Sequence, residues 1–365
     1  MRALLAIAGL LVLAGSALAG RPTAHTLRKS PSGPIAAVAA DNDLAAWLTP
    51  FSSRSCAEVH VLSHDRKDKS APQPASNSMT CRWDVSGGQS QLAIAGGMSS
   101  ALWTLHGNAN GPSPFDFVLA ASFGGPERLL GRLAHATDGT GEWLGGVAGA
   151  GRVLAYSWVD VEYVDPEACL SGGTCKEKIA DGGIRVVTRQ GTKFTSTPLP
   201  GAEPALQLAA AVGRIAYIPA TIVHGNRPAA TTNATLPIVD ATTGQVLAEP
   251  KVHGIPQAIA LSSHVLAVLT GPGDHDRISW FSATDGTKLG SVLVSSFAAP
   301  QLAASDRMIV YRVGRRLRDV FTRNGRIGSL ANIGQNTVGP ALAHNRVVWA
   351  ENHNGTGRLR AVTTG

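Results

Sequence analysis

"VGRIAYIPA", residues 212–220, is part of one of seven near copies of a single pattern, and that recurrence decides the fold. Each copy has a short apolar run rich in Ala and Gly, a turn of two to four residues, and a second apolar run carrying a bulky side chain. The copies read "IAAVAADNDLAAWLT", "QLAIAGGMSSALWTL", "LGGVAGAGRVLAYSW", "LQLAAAVGRIAYIPA", "AIALSSHVLAVLTG", "QLAASDRMIVYRVG" and "PALAHNRVVWAEN". Their bulky positions are Trp47, Trp103, Tyr156, Tyr217, Val268, Tyr311 and Trp349, with spacings of 56, 53, 61, 51, 43 and 38 residues.

Two short apolar runs across a tight turn read as the first two strands of an antiparallel unit. A third and a fourth often follow. In the fifth copy "RISWFSATDGTKLGSVLV" is strand, Asp285-Gly286 turn, strand; "LPIVDATTGQVLAE" repeats this in the fourth, and Asn324-Gly325 serves the sixth. Such repeats, with almost no helical periodicity, predict an all-β chain: a single seven-bladed β-propeller of four-stranded antiparallel blades. The small residues suit the innermost strands, which crowd around a central channel, and the bulky residue fills the widening wedge between blades. A β-sandwich is the alternative, but seven copies of one pattern are difficult to fit into two sheets.

The propeller is expected over 20–365, with blades near 34–86, 90–140, 142–200, 204–250, 255–295, 299–333 and 338–365. The last copy supplies three strands before "GRLRAVTTG" ends it. "HTLRKS", residues 25–30, is otherwise unemployed and is expected to pair as the outer strand of the seventh blade, removing an open edge.

The segments "VDATTGQVLAE" and "FSATDGTKLGSVLV" resemble blades of the TolB-like and quinoprotein-like propeller repeats. The resemblance extends over nearly the whole chain after residue 19 and implies an architecture. Such propellers include dehydrogenases, hydrolases, lyases and plain binding scaffolds, so the fold alone assigns no activity. None of the seven Trp residues recurs at the place of the quinoprotein tryptophan docking motif, so no quinone cofactor is implied.

The chain opens "MRALLAIAGLLVLAGSALAG": Arg2, an apolar run, then Ala17-Leu18-Ala19, the pattern of a secretory signal spanning 1–19. The run is short of the roughly 20 apolar residues of a membrane span, and no later stretch reaches that length. A secreted, periplasmic or cell-envelope location is expected. Four cysteines in an exported chain favour disulfides. Cys169 and Cys175 enclose "LSGGT" and form the expected pair, leaving Cys56 with Cys81, although three connectivities remain open.

The segments between second and third strands vary most: "HGNANGPSP", "DPEACLSGGTCKEKIADGG", "HGNRPAATTNAT" and "GPGDHD" all emerge on one face, where loops on a rigid scaffold usually bind. "SHDRKDKSAPQPASNSM" is expected on the opposite face. Charge is segregated too. Residues 300–365 hold ten Arg and three acids, while the remainder holds 22 basic and 22 acidic residues, so the net +7 sits in the last two blades. Arg312, Arg315, Arg316, Arg318 and Arg323 are the candidate partner-binding residues, for a protein or an acidic envelope polymer. A solvated Arg-rich surface is the plain alternative. Nucleic acid is not expected, because only Tyr311 and Phe321 interleave these arginines.

Catalytic patterns are scarce. GxSxG, HExxH and phosphate-loop sequences are absent, and three consecutive residues such as Ser63-His64-Asp65 cannot easily converge their side chains. No cofactor is expected, except that Asp274, His275 and Asp276 gather the ligand types of a divalent cation, together with His224 or His106 from neighbouring loops; a polar turn, in which Asp274 bonds the local backbone, is the plainer reading. The expectation is therefore a non-enzymatic binding or scaffold protein. The alternative is an extracytoplasmic hydrolase or lyase with a cation at the channel mouth.

Overall fold

The computed structural model describes residues 23–30, 33–50, 56–63, 81, 90–107, 115–136, 138–172, 174–224, 227–271, 276–295, 301–334 and 336–364. The expected signal lies outside these residues, as does the "SHDRKDKSAPQPASNSM" segment after Ser63. Among the described residues seven antiparallel sheets form the blades of a β-propeller, and an eighth, the two-stranded ribbon Ile222–His224 with Arg227–Ala229, stands in the connection between the second and third strands of blade 4. Blade 1 shows three strands, Ala37–Asp41, Leu44–Thr49 and Glu58–Leu62; blades 2 to 6 show four each. Blade 7 takes Thr337–Ala343, Arg346–His353 and Thr356–Thr363 from the C-terminal end, and its outer strand is His25–Ser30. His25 pairs with Ala361 and Ser30 with Gly357, so the N-terminal strand closes the ring as expected.

The bulky residue of each second strand explains why the blades join. Trp103 lies in one cluster with Val59 and Val61 of blade 1, Tyr156 with Val118 of blade 2, and Tyr217 with Ile184 of blade 3. Val268 packs on Ile218 of blade 4, Tyr311 on Leu269 of blade 5 and Trp349 on Val310 of blade 6. Trp47 completes the circuit against Val348 and Leu359 of blade 7. Among the described residues each of the seven junctions thus holds an apolar cluster built from two neighbouring blades, and the junction of blades 3 and 4 holds a second, around Val159, Val161 and Ala220. The second strand is buried on both faces: in blade 1 Trp47 faces blade 7, while Ala46 and Leu48 face blade 2.

The inner strands are small-residue strands for a steric reason. A Cβ at Gly145 of blade 3 would lie 1.9 Å from the Ala205 carbonyl oxygen of blade 4, and one at Gly149 would lie 2.6 Å from that of Ile94 in blade 2. Neither side tolerates a methyl group. Both disulfides form, Cys56–Cys81 and Cys169–Cys175, which selects one of the three connectivities. Cys169 sits on a short helix, Pro166–Leu170, capped by the Asp165 side chain accepting from the Ala168 N–H at 2.9 Å.

Trp349 is wholly buried between blades 6 and 7. Trp349→Ala is expected to lower the unfolding free energy by about 3–5 kcal/mol in chemical denaturation. Leu289→Ala, at a half-exposed site on an outer strand, should stay within about 0.5 kcal/mol of the parent protein.

Candidate functional site

Antiparallel order sends every connection between second and third strands to one face of the disc, together with the connections between blades. We call this the loop face. The opposite face holds the short turns, and polar groups there latch blade to blade. Asp41 of blade 1 accepts from the N–H groups of Gly96 at 2.6 Å and Gly151 at 2.8 Å, in blades 2 and 3. Arg189 donates to the Met98 carbonyl at 2.6 Å, and Arg346 to that of Asp43 at 2.6 Å. Asp306 of blade 6 accepts from Ser262 and from the His264 N–H of blade 5, at 2.7 and 2.8 Å.

At the loop-face end of the channel the inner strands are less plain than their Ala- and Gly-rich composition implies. Gln91, Gln207 and Gln301 stand at matching places in blades 2, 4 and 6, each one residue before the partner of the bulky second-strand residue. Two of them tie neighbours together. Gln91 donates to the Gly145 carbonyl at 3.2 Å and accepts from the Val147 N–H at 2.9 Å, and Gln207 donates to the Gln257 carbonyl at 2.7 Å. Arg312 belongs to this set: its Nη1 donates to the Thr337 carbonyl of blade 7, beside a channel cavity of about 830 Å³.

Arg315, Arg316 and Arg318 do come together. With Val313, Asn332 and Ile333 they line a groove of about 520 Å³ on blade 6. Ladder pairing explains it: Arg316 and Arg318 are two apart on the third strand Arg316–Phe321 and share a face, and Arg315 occupies the turn before it. Asp319, the acid on this strand, is buried on the other face, where burial pushes its carboxyl above the usual range. It does not neutralise the groove. Arg323 is placed differently, in the turn between the third and fourth strands, and so lies on the face away from Arg315.

A second basic cleft was not legible in the charge count. Glu249, Lys251 and His253 leave blade 4 opposite Arg277, Ser279 and Phe281 on the third strand of blade 5, and with Gly286 and Lys288 they enclose about 710 Å³. Its cations lie before position 300 and vanish into a balanced total. An alternating row of residues, Arg277, Ser279 and Phe281, was the available signal.

Of the candidate cation ligands, Asp274 and His275 lie outside the described residues, as does the side chain of His224. Asp276 is buried at the start of its strand, where its carboxylate and the Gln257 amide both approach Gly271. Among the described residues no group of three His, Cys, Asp or Glu side chains is arranged to hold a metal ion. His106 instead lies on blade 2 with Nδ1 2.8 Å from Asp116 Oδ1, and its ring is 6.0 Å from His135, which stacks on Trp143 at 4.1 Å.

No protein-family model matches this chain, and no curated protein matches it in sequence. Solved structures similar to it in fold include BamB from Moraxella catarrhalis, at 12% identity over 93% of this chain and 99% of that one, with a TM-score of 0.44. Apo AztD from Citrobacter koseri matches at 10% identity over 82% and 73%, with 0.44. The Pan2 WD40 domain of Neurospora crassa matches at 9% identity over 95% and 96%, with 0.45. These are likenesses of fold alone.

The hydrogen bond to Asp116 raises the pKa of His106 above the ordinary 6.5, against the opposing effect of its own burial. Burial lowers that of His135. The two therefore act with opposite sign on stability. The His106–Asp116 pair stabilises fully below pH 6.5 and is lost as pH rises through the raised value, whereas His135 begins to destabilise as pH falls below 6.5. In an NMR titration His106 is expected to keep its proton above pH 6.5 and His135 to lose its proton below it, and Asp116→Asn should bring the His106 midpoint down.

Proposed function

We propose that this protein is an extracytoplasmic β-propeller that binds an acidic partner, a protein or an envelope polymer, on its loop face and through the basic groove of blade 6. The observation that carries this reading is the groove itself, in which Arg315, Arg316 and Arg318 converge on one cavity. No ion pair among the described residues engages any of the three. Cations grouped on one side of a rigid surface raise the local concentration of anions and speed their encounter.

Other features support the same assignment. The opposite face spends its short turns on blade-to-blade latches, which leaves the variable connections on the loop face available. The two disulfides fit an oxidising compartment outside the cytoplasm. No helix among the described residues is long and apolar enough to cross a membrane.

The test is retention of the protein on an envelope extract of its own host. Replacing all three arginines by Gln is expected to weaken binding roughly tenfold, since exposed charge contacts contribute about 0.5 kcal/mol each, and to flatten its salt dependence. Unchanged, salt-insensitive retention would contradict the electrostatic reading.

A further inference from the structure

The strand ladders place arginines at one repeated position in three successive blades. In each blade one third-strand residue stands directly across from the bulky second-strand residue. It is Ser279 across from Val268 in blade 5, Arg318 across from Tyr311 in blade 6, and Arg360 across from Trp349 in blade 7. Two residues earlier on these strands come Arg277, Arg316 and Arg358. Because alternate residues share a face, each strand carries a row whose last member enters the core shared with the preceding blade: Phe281, Val320 and Val362. The basic end of each row points the other way along the strand, towards the loop face.

Three consecutive junctions, between blades 4 and 5, 5 and 6, and 6 and 7, therefore present arginine at equivalent places. The other blades break the series. The same two positions hold Glu58 and His60 in blade 1, Phe117 and Leu119 in blade 2, and Thr235 and Pro237 in blade 4, while blade 3 has Gly183 and, across from Tyr156, a single arginine, Arg185.

We propose that this arc is a track for a linear polyanion, a chain of regularly repeated phosphate or carboxylate groups that crosses the three junctions in turn. The proposal rests on the anion-binding reading of the blade 6 groove and extends it one blade to each side. Ring geometry repeats the charges at one register, so a ligand whose own charges repeat meets each of them in a similar setting. The planar guanidinium suits both anions, because it donates two parallel hydrogen bonds to a carboxylate or phosphate.

The existing engagements of these arginines are few and weakly compensating. Arg277 donates one hydrogen bond, to the Ser291 hydroxyl at 3.0 Å, and Lys251 and Lys288 flank it in the same cleft against one acid, Glu249. In blade 7 Arg360 lies 3.9 Å from Glu351, and Lys29 of the closing strand stands across from Arg358 to restore the positive balance. Phe281 and Tyr311, at 3% and 1% exposure, offer no ring for bases to stack on. Recognition here reads charge and its spacing.

The test is binding of inorganic polyphosphate graded in chain length to the purified protein at several salt concentrations. Affinity is expected to climb roughly a hundredfold from tripolyphosphate to a chain long enough to span three junctions, and then to level off. Arg277→Gln and Arg358→Gln should each remove much of that climb and reduce the slope of log affinity against log salt by about one. Both side chains reach solvent, so an unchanged melting temperature will show that the variants fold. If affinity does not depend on length, or if only Arg316→Gln and Arg318→Gln weaken binding, the arc is wrong and the blade 6 groove stands alone. Retention of an acidic envelope protein at parental strength by the Arg277→Gln, Arg358→Gln double variant would also overturn the arc, and would assign blade 6 to a protein partner. Loss of extract binding in the blade 6 variants is scored separately, so the two readings fail independently.

Discussion

Everything in this molecule depends on cores that belong to no single blade. A sheet with Trp, Tyr or Val268 on its second strand has an apolar face that it cannot cover by itself, and the covering surface is the preceding sheet in the ring. Buried aromatic side chains remove 150–250 Å² each from water, on the order of several kcal/mol per junction. An open ring leaves one such face wet. The pairing of His25–Ser30 with Thr356–Thr363 therefore does more than satisfy an edge: it brings the two ends of the chain into one sheet, beside which Trp47 of blade 1 finds its partner blade.

A ring held in this way has two unequal faces. One carries the tight turns between first and second strands, where left-handed positions such as Asn42 and His344 reverse the chain in two residues. These turns are close enough for Asp41, Arg189, Arg346 and Asp306 to bond across junctions. The other face carries connections of unequal length and sequence, and its inner rim is held by glutamines that reach to the neighbouring strand. The latches lie away from the variable side, and the groove of Arg315, Arg316 and Arg318 lies towards it.

Much of the architecture was legible from residues alone, because its determinants are local. The Ala and Gly run, the turn and the bulky residue lie within about 15 positions, and the Asp-Gly and Asn-Gly hairpins lie within two. Closure by "HTLRKS" followed from counting strands. The arginine arc is different in kind: Arg277, Arg316 and Arg358 are far apart in the chain, and they are equivalent only through the pairing registers of their second and third strands. A total taken over residues 300–365 could find blades 6 and 7 but not Arg277 or Lys251. It also grouped Arg323 with Arg316, since both lie near one strand, although opposite ends of a strand open on opposite faces. The glutamine rim escaped notice because one polar residue ahead of an Ala-rich run carries no periodic signal. Its partners are main-chain groups of the next blade.

The most direct measurement is hydrogen–deuterium exchange of the protein alone and with saturating polyphosphate or host envelope extract. The expected result is protection confined to the loop-face ends of the third strands in blades 5, 6 and 7, around Arg277, Arg316 and Arg358. Protection centred on blades 1 to 3, or on the turns around Asp41 and Asp306, would contradict the placement of the binding surface.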